Sequence, residues 1–489
     1  MNEQMPTKES RRIAGALFVA AVLAVMILAN VIINALVARF SWYFYTEERY
    51  EHTIGDAADA VLSDVADGER VRVLFCMAEE KMEADTVYAL VLNTFRQLAD
   101  RYDFIDIEFV NIYLRPDLVA PYRVRTTETG EKIESSITEQ SVIFVSGEDE
   151  SCFRVELMQS FFVLDDTQMI TAYNGEEIAI SCVAWVLADT HPVAGFTMGH
   201  GENQSDLLAF YTTLVSSGYE IMLLDLNEDI PEGTELIVIA NPRWDFLRGA
   251  RGVVAELDRL DAFLAGGGTL FVSLDPYAKA PLEKLRGFLA ERGLVATQDV
   301  IRDSQNSITT DGYTLVTEFS DSAFGTGIVD RLGKFGSSRA IVREASALTL
   351  SSVGGYTAEP ILASSPSSQS YRDGQLVSDA GSFPVLAVSQ ARLENEKTAT
   401  VFLSSSVYFL ANDVMNSAIY ANRDVVLASM EAASGNPAPV GCRVLSIDNN
   451  RLEDLTMGTA RLYTVLLAVV LPLIVCAAGV FVIIRRKNR

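Results

Sequence analysis

Two long apolar runs, one near each end, constrain the fold of this chain more than any other feature. The first extends from Ile13 to Ala38 and the second from Leu462 to Ile484. Each is long enough for a helix that crosses the hydrocarbon core of a bilayer, which takes roughly 20 apolar residues. A cleaved signal peptide fits the first run less well, because the apolar stretch of a signal peptide spans only about 7–15 residues. We therefore expect transmembrane helices at residues 13–38 and 460–484.

The outer flanks of both runs are basic, and this pattern predicts their orientation. The basic residues are Lys8, Arg11, Arg12, Arg485, Arg486, Lys487 and Arg489. Short basic flanks favour the cytoplasmic side of a membrane. The sequence therefore predicts a two-pass protein of the plasma membrane, with cytoplasmic tails at 1–12 and 485–489 and an extracytoplasmic body between the helices.

Three residues inside the predicted spans are candidates for contact with a partner helix. Asn30 and Asn34 lie four residues apart, so they share one face of a helix. Pro472 is expected to kink the second span. Polar residues within spans often face another helix, although the two asparagines could instead lie at the outer interface of the membrane.

The charge of the chain argues against nucleic acid as a partner. The 489 residues carry a formal net charge of -26, whereas proteins that bind nucleic acid need a basic face for the phosphates. The acidity is typical of a soluble exposed body, and no calcium-binding D-x-D-x-D-G loop is present. None of the five cysteines forms a C-x-x-C pair, so the sequence predicts no zinc or redox motif.

Hydrophobic periodicity predicts an α/β fold with two domains between the spans. In residues 41–188, buried strands alternate with amphipathic helices, which is typical of a small thioredoxin-like α/β domain. Residues 189–445 contain short apolar strands alternating with helices, which indicates a Rossmann-like domain with a parallel sheet. An irregular insertion at about 300–380 interrupts this second domain.

The chain lacks the motifs of nucleotide-dependent and hydrolytic enzymes. The glycine run Gly266–Gly268 precedes a strand and follows a helix, whereas a phosphate-binding loop follows a strand and opens a helix. No Walker A motif, G-x-S-x-G elbow or H-E-x-x-H sequence is present. We therefore expect no cofactor, no metal and no ATPase activity.

Five polar residues follow the predicted parallel strands and are the candidate ligand-binding residues. They are His200, Glu202, Asp225, Asn241 and Asp275. Open parallel sheets bind ligands at the carboxyl ends of their strands, so such a ring could bind a cation, a sugar or a peptide. Two alternatives remain open at this stage. The glycines around His200 could form a tight turn in which His200 and Glu202 cap the next helix, or His200 could take part in catalysis.

Several segments together resemble the GldG-like family of auxiliary proteins of ABC-type transport systems, which are associated with gliding motility. The most specific is Gly199-His200-Gly201-Glu202, preceded by Pro192–Met198. The other segments are Tyr173-Asn174-Gly175-Glu176-Glu177, Leu260–Pro276, Asn422-Arg423-Asp424 and Arg485-Arg486-Lys487. The resemblance implies an accessory subunit with an extracytoplasmic body that works with a separate ABC permease and a cytoplasmic ATPase subunit.

These observations lead to one expected function and two alternatives. We expect a non-enzymatic auxiliary subunit of an ABC-type transport system, which binds an unknown extracytoplasmic substrate or partner and docks on a permease in the membrane. The first alternative is a membrane-anchored surface hydrolase acting through His200 and Glu202. The second is a scaffold protein that uses its acidic face for protein contacts.

Overall fold

The protein is a mixed α/β chain with several sheets. The computed structural model describes residues 53–447, apart from 64, 66–67, 148–150, 166, 203, 205, 250–253, 280, 333–338, 395, 418 and 443, together with 461–463, 465–466 and 479. The described residues from Thr53 onward belong to one compact unit.

Helices are distributed along the whole described region. They are α1 (Ala57–Leu62), α2 (Glu79–Ala84), α3 (Thr86–Arg101), α4 (Leu157–Phe161), α5 (Gly175–Leu187), α6 (Leu208–Ser216), α7 (Glu256–Ala265), α8 (Glu283–Ala290), α9 (Ala323–Leu332), α10 (Asn412–Met415) and α11 (Asn422–Ser434). Short 3-10 helices cover Pro116–Leu118, Ala120–Arg123 and Val407–Leu410.

The strands before residue 200 are short. They are β1 (Val71–Phe75), β2 (Ile105–Phe109), β3 (Val124–Thr126), β4 (Lys132–Glu134), β5 (Ser141–Ser146), β6 (Ser151–Glu156), β7 (Phe162–Leu164), β8 (Ile170–Tyr173) and β9 (Val193–Thr197). The later strands are β10 (Glu220–Leu224), β11 (Thr234–Ala240), β12 (Thr269–Ser273), β13 (Leu294–Arg302), β14 (Thr314–Phe319), β15 (Arg339–Arg343), β16 (Ser346–Leu350), β17 (Ser352–Val353), β18 (Tyr356–Ala363), β19 (Gln369–Arg372), β20 (Gln375–Leu376), β21 (Pro384–Arg392), β22 (Thr398–Ser404) and β23 (Leu445–Ser446).

The N-terminal part, residues 53–187, is built on a sheet with the strand order β2-β1-β5-β6. Strand β1 pairs in parallel with β2 and antiparallel with β5. Helix α3 packs Phe95 into the core of this part. The helix begins where its sequence provides a cap, because the Asp85 carboxylate accepts the amide hydrogen of Val87 at 2.8 Å.

The C-terminal part, residues 193–434, contains a larger sheet with the order β10-β9-β11-β12-β22-β21-β18-β14-β15, and β17 lies beside β18. The pairs from β10 to β22 are parallel, and those from β22 to β15 are antiparallel. In β11, Val238 faces one hydrophobic core and Ile239 faces the other. Burial on both faces explains the continuous apolar sequence of these strands.

The stretch around residues 300–380, where the sequence pattern becomes irregular, consists mainly of antiparallel strands. Four of them form a separate sheet with the order β16-β13-β19-β20. A buried carboxylate joins this sheet to the serine-rich loop after β18, because Asp303 accepts hydrogen bonds from the hydroxyls of Ser365, Ser367 and Ser368. These hydroxyls replace the water that the carboxylate loses on burial.

The predicted membrane architecture requires a correction. No helix among the described residues is long and apolar enough to cross a membrane. This finding contradicts the flanking transmembrane helices in the predicted fold class, and with them the predicted two-pass location at the plasma membrane. The segments at 13–38 and 460–484 lie outside the described residues, except for 461–463, 465–466 and 479.

Candidate functional site

The loop after β9 is shaped by two glycines in left-handed backbone conformations. Gly199 has a φ of 105° and Gly201 a φ of 71°, which other residues rarely adopt. Gly201 also packs closely against the next loop, because a Cβ atom at this position would lie 3.2 Å from Arg243 Cβ and 3.4 Å from the Trp244 ring. The backbone carbonyl of His200 accepts hydrogen bonds from the amides of Arg243 and Trp244. The two loops therefore form one unit.

His200 lies between two buried carboxylates. Its Nδ1 is 3.5 Å from Glu202 Oε1, and its Nε2 is 3.1 Å from Glu256 Oε1. The imidazole ring stacks on Phe246, with 3.7 Å between the ring centroids and 13° between the ring planes. We call His200, Glu202 and Glu256 the histidine cluster.

Both carboxylates of the histidine cluster have further hydrogen-bond donors. Glu202 accepts the backbone amide hydrogen of His200 at 2.7 Å and the Thr197 hydroxyl at 2.9 Å. Glu256 accepts the amide hydrogen of Leu247 at 2.6 Å. These bonds fix the positions of both carboxylates.

The cluster favours the charged form of His200. Burial by itself would lower the pKa of His200, but the nearby carboxylates of Glu202 and Glu256 outweigh it and hold this pKa above its ordinary value. Burial by itself would raise the pKa of Glu202, but its bonds to His200 and Thr197 hold that pKa below its ordinary value. Opposite charges at this distance stabilise each other's ionised forms. Since both ring nitrogens face carboxylates, the imidazole is suited to holding the loops together.

The other predicted strand-end residues do not enter the histidine cluster. Asp225 is exposed and accepts hydrogen bonds from the amide and side chain of Asn227, which lower its pKa, with a smaller contribution from the charge of His200. Asn241 adopts a φ of 52°, and its backbone N–H donates a hydrogen bond to the backbone carbonyl of Ser273. Asp275 accepts the amide hydrogen of Tyr277 at 2.8 Å.

The alternative in which His200 and Glu202 cap the following helix does not match the contacts. Helix α6 begins at Leu208, and its Ncap residue makes no side-chain hydrogen bond. In its first turn the amide of Ala209 donates to Asn412 Oδ1 at 2.8 Å. The side chain that accepts a hydrogen bond from the first turn of α6 therefore comes from α10.

Two residues of the site were not expected from the sequence. Glu256 opens α7, where an acidic residue is common at any helix start, so nothing in its pattern indicates a contact with His200. Phe246 lies in an irregular loop with no periodicity. Asn30, Asn34 and Pro472 lie outside the described residues, and the described residues contain no group of His, Cys, Asp and Glu that could hold a metal ion.

Large apolar side chains are exposed around the histidine cluster. Met198 is 45% exposed, Trp244 is 63% exposed and Leu247 is 53% exposed. Trp244 and Leu247 donate backbone hydrogen bonds to His200 and Glu256, respectively, and Met198 lies two residues before His200. We call these three residues the strand-end surface.

A cleft of about 730 Å³ lies at the opposite end of the parallel strands. It is bordered by Thr234, Thr269 and Thr400 near the starts of β11, β12 and β22, and by the glycine run Gly266–Gly268. A Cβ atom on Gly268 would lie 2.4 Å from the Phe263 ring, so this glycine is needed for packing. The glycine run therefore has a structural reason that is independent of phosphate binding.

Comparisons with known proteins do not identify a family. No protein-family model matches the chain, and no curated protein matches it. Among solved structures, the N-terminal domain of mmIFT52 is 16% identical, with a TM-score of 0.38 over 50% of this chain and 97% of that one. A ThuA-like protein from Bacteroides uniformis is 11% identical, with a TM-score of 0.31 over 51% of this chain and 94% of that one. Likenesses at these TM-scores carry no argument about fold or function.

Proposed function

We propose that this protein is a non-enzymatic auxiliary subunit that binds a protein partner through the strand-end surface, as a component of an ABC-type transport system. The observation that carries the proposal is the exposure of Met198, Trp244 and Leu247 on loops that the histidine cluster holds in place. Exposed apolar side chains that lie near one another often mark interaction sites.

The hydrogen bonds that join these loops at His200 and Glu256 favour binding. A loop that is already ordered loses less conformational entropy when a partner docks, so more of the contact energy appears as affinity. Exposed tryptophan is also among the residues most often found at the energetic centre of interfaces. Trp244 packs on Gly201, one residue from His200, and is therefore the residue expected to contribute most.

The resemblance of Gly199-His200-Gly201-Glu202 to the GldG-like family supports the choice of partner. Such auxiliary proteins work with a separate permease and an ATPase subunit, so a permease is the partner that we propose. The net charge of -26 favours a partner face with basic residues around an apolar centre, since complementary charge guides association.

Substitution of Trp244 tests the proposal. The full-length protein and its Trp244→Ala variant would be affinity-purified from the native cell at equal expression, and the captured proteins identified by mass spectrometry. We expect the wild-type chain to recover a permease together with an ATPase that carries a Walker A motif. The variant should lose about 30-fold in affinity for that permease, which corresponds to roughly 2 kcal/mol for an interface tryptophan.

A matched control shows whether the effect is specific to the strand-end surface or arises from the loss of any exposed apolar side chain. Leu247 and Leu376 are both 53% exposed, but Leu376 lies in β20, far along the chain from the histidine cluster. Leu247→Ala should weaken the recovery of the permease, and Leu376→Ala should leave it unchanged. Recovery of no permease by the wild-type chain, or equal recovery by all variants, would contradict the proposal.

A further inference from the structure

The larger sheet of the C-terminal part ends differently at its two edges, which are the strands β10 and β15. The start of α11 closes the edge at β15. There the Asn422 side chain accepts the amide hydrogen of Ile341 at 2.9 Å and donates to the carbonyl of the same residue at 2.8 Å. The amide of Ala421 donates to the carbonyl of Arg339. These groups take the place of a neighbouring strand.

Strand β10 has open backbone groups at the other edge. Glu220 donates its amide hydrogen to the Pro192 carbonyl at 2.9 Å, and the parallel pairing with β9 continues in register to Leu224. Successive residues of a strand direct their N–H and C=O groups to opposite sides, so those of Ile221 and Leu223 point away from β9. Within the part of the chain that the structure describes, no residue forms a hydrogen bond with these outward groups.

This open edge has none of the features that usually protect an edge strand. Proteins block such edges with lysine, proline or a bulge. The sequence from Ile221 to Leu224 contains no charged residue and no proline, and the register with β9 has no bulge. Glu220 is the one charged residue of β10, and Arg125 already pairs with it at 2.5 Å. Since Leu223 is 58% exposed, another strand could approach the edge.

Exposed carboxylates lie at both ends of the open edge. Asp225 follows β10 directly, and its carbonyl accepts the amide hydrogen of Glu228 at 3.1 Å, so both exposed side chains belong to one turn at this end. The segment from Asp225 to Glu235 contains five carboxylates and no lysine or arginine. At the other end, Glu220 accepts the amide hydrogen of Glu128, which is itself exposed, at 2.7 Å. The ends of the edge therefore favour a cationic partner.

We propose that the β10 edge binds an extended basic segment of a partner protein as an additional strand. The outward groups of Ile221 and Leu223 form the backbone hydrogen bonds, as in other cases in which a peptide extends a sheet. Lysine or arginine side chains of the segment reach the carboxylates at the two ends. This site is separate from the strand-end surface and does not depend on the proposed function.

The charge also argues against a second copy of this chain as the occupant. Pairing of two β10 edges brings the same carboxylates together, in molecules that each carry a formal net charge of -26. Like charges placed opposite each other disfavour association. A basic segment gains from the same carboxylates, so charge separates the two occupants.

Leu223→Pro tests the site with little disturbance of the sheet. Proline is tolerated in an edge strand where its nitrogen faces solvent, and it removes the outward N–H of this residue. The loss of one backbone hydrogen bond, together with the bulk of the ring, should weaken binding about tenfold or more. Leu223→Val keeps both the N–H and an apolar side chain and is the matched control.

The probe is a fluorescently labelled peptide of alternating valine and lysine, titrated with the full-length protein and followed by anisotropy. The wild type and Leu223→Val should bind it equally, and Leu223→Pro should bind it about tenfold more weakly. A peptide of alternating valine and glutamate should not bind. The valine-lysine peptide N-methylated at every peptide bond has no backbone donor and should also fail to bind the wild type. This last comparison does not depend on the folding of the proline variant.

Amide exchange at residue level, measured by mass spectrometry, locates the contact. In the free protein the amides of Ile221 and Leu223 should exchange faster than that of Met222, and the valine-lysine peptide should slow both about tenfold. Slow exchange at these two amides in the free protein would show that the edge is already covered. No binding, equal binding by folded Leu223→Pro, or equal binding of either control peptide would overturn the proposal. A dimer that Leu223→Pro abolishes would assign the edge to a second copy and overturn it as well.

Discussion

The histidine cluster and the polar seam, which is the buried ion pair between Glu177 of α5 and Arg423 of α11, each place one cationic side chain beside a buried carboxylate, but the two regions use it differently. In the histidine cluster, His200 contacts both Glu202 and Glu256, and each carboxylate has additional donors from nearby backbone. In the seam, Arg423 contacts Glu177 alone, and Asp424 is left with one backbone donor. Backbone amides fix both carboxylates of the histidine cluster, whereas the seam depends mainly on one ion pair between side chains.

The two regions also differ in which parts of the chain they join. The histidine cluster links loops within the C-terminal part, and its loss should disturb those loops first. The seam joins residues that are 246 positions apart in sequence, so its loss should affect the attachment of the N-terminal part. We therefore expect the largest effect on the free energy of unfolding from the seam.

Arg423→Ala should be the most damaging of the substitutions considered. It removes the cation that pairs with the buried Glu177 carboxylate, and breaking one half of a buried pair costs about 3–5 kcal/mol. Urea unfolding followed by far-UV circular dichroism would measure the loss. An unfolding free energy within about 1 kcal/mol of the wild type would show that the pair does not hold the two parts together.

A charge-neutral double substitution sharpens this result. Arg423→Met combined with Glu177→Leu removes both charges while keeping apolar volume, and such replacements are often neutral or stabilising. We expect the double variant to be more stable than Arg423→Ala. If it is equally unstable, the loss comes from packing and not from an uncompensated charge.

His200→Gln should have a smaller effect that depends on pH. Glutamine cannot supply a positive charge to both Glu202 and Glu256, so the loss should be about 1–3 kcal/mol at pH 6. Because the pKa of His200 is raised in the folded protein, its contribution is complete below its ordinary pKa of 6.5 and is lost as the pH rises through the folded value. The difference between wild type and variant should therefore shrink by pH 9, as measured by urea unfolding at each pH.

His191→Gln is a control for which the stability difference from the wild type should change with pH in the opposite direction. Burial lowers the pKa of His191, so its protonation opposes folding at low pH. On moving from pH 6 to pH 9, the wild type should gain stability relative to His191→Gln. A difference between wild type and His200→Gln that stays constant over this range would show that the pKa of His200 is the same in the folded and the unfolded protein.

Local patterns in the sequence predicted much of the α/β framework. Within residues 41–188, where the sequence predicts buried strands that alternate with amphipathic helices, the structure contains the strand β1 and the amphipathic helix α3. Both depend on periodicity and capping within a few neighbouring residues. The Gly199–Glu202 loop could likewise be identified because a strand precedes it and two glycines shape it.

Contacts between distant residues could not be predicted in the same way. Neither Glu256 beside His200 nor Arg423 beside Glu177 has a local pattern that indicates its partner, because the pairing depends on how strands and helices pack. The predicted membrane helices failed for a different reason. Hydropathy judges a segment from its composition alone, whereas among the described residues no helix is both long and apolar enough to cross a membrane.

The smallest effect should come from an exposed ion pair, and it tests whether burial is what separates the seam from ordinary surface charges. Arg70 Nη1 lies 3.1 Å from Asp106 Oδ2, but the two side chains are 65% and 50% exposed. Water screens such a pair, so Asp106→Asn should change the unfolding free energy by about 0–1 kcal/mol. The change should fall further in 0.5 M salt, because the Debye length is then only about 4 Å. If Asp106→Asn destabilises the protein as much as Arg423→Ala does, burial cannot explain the dominance of the seam.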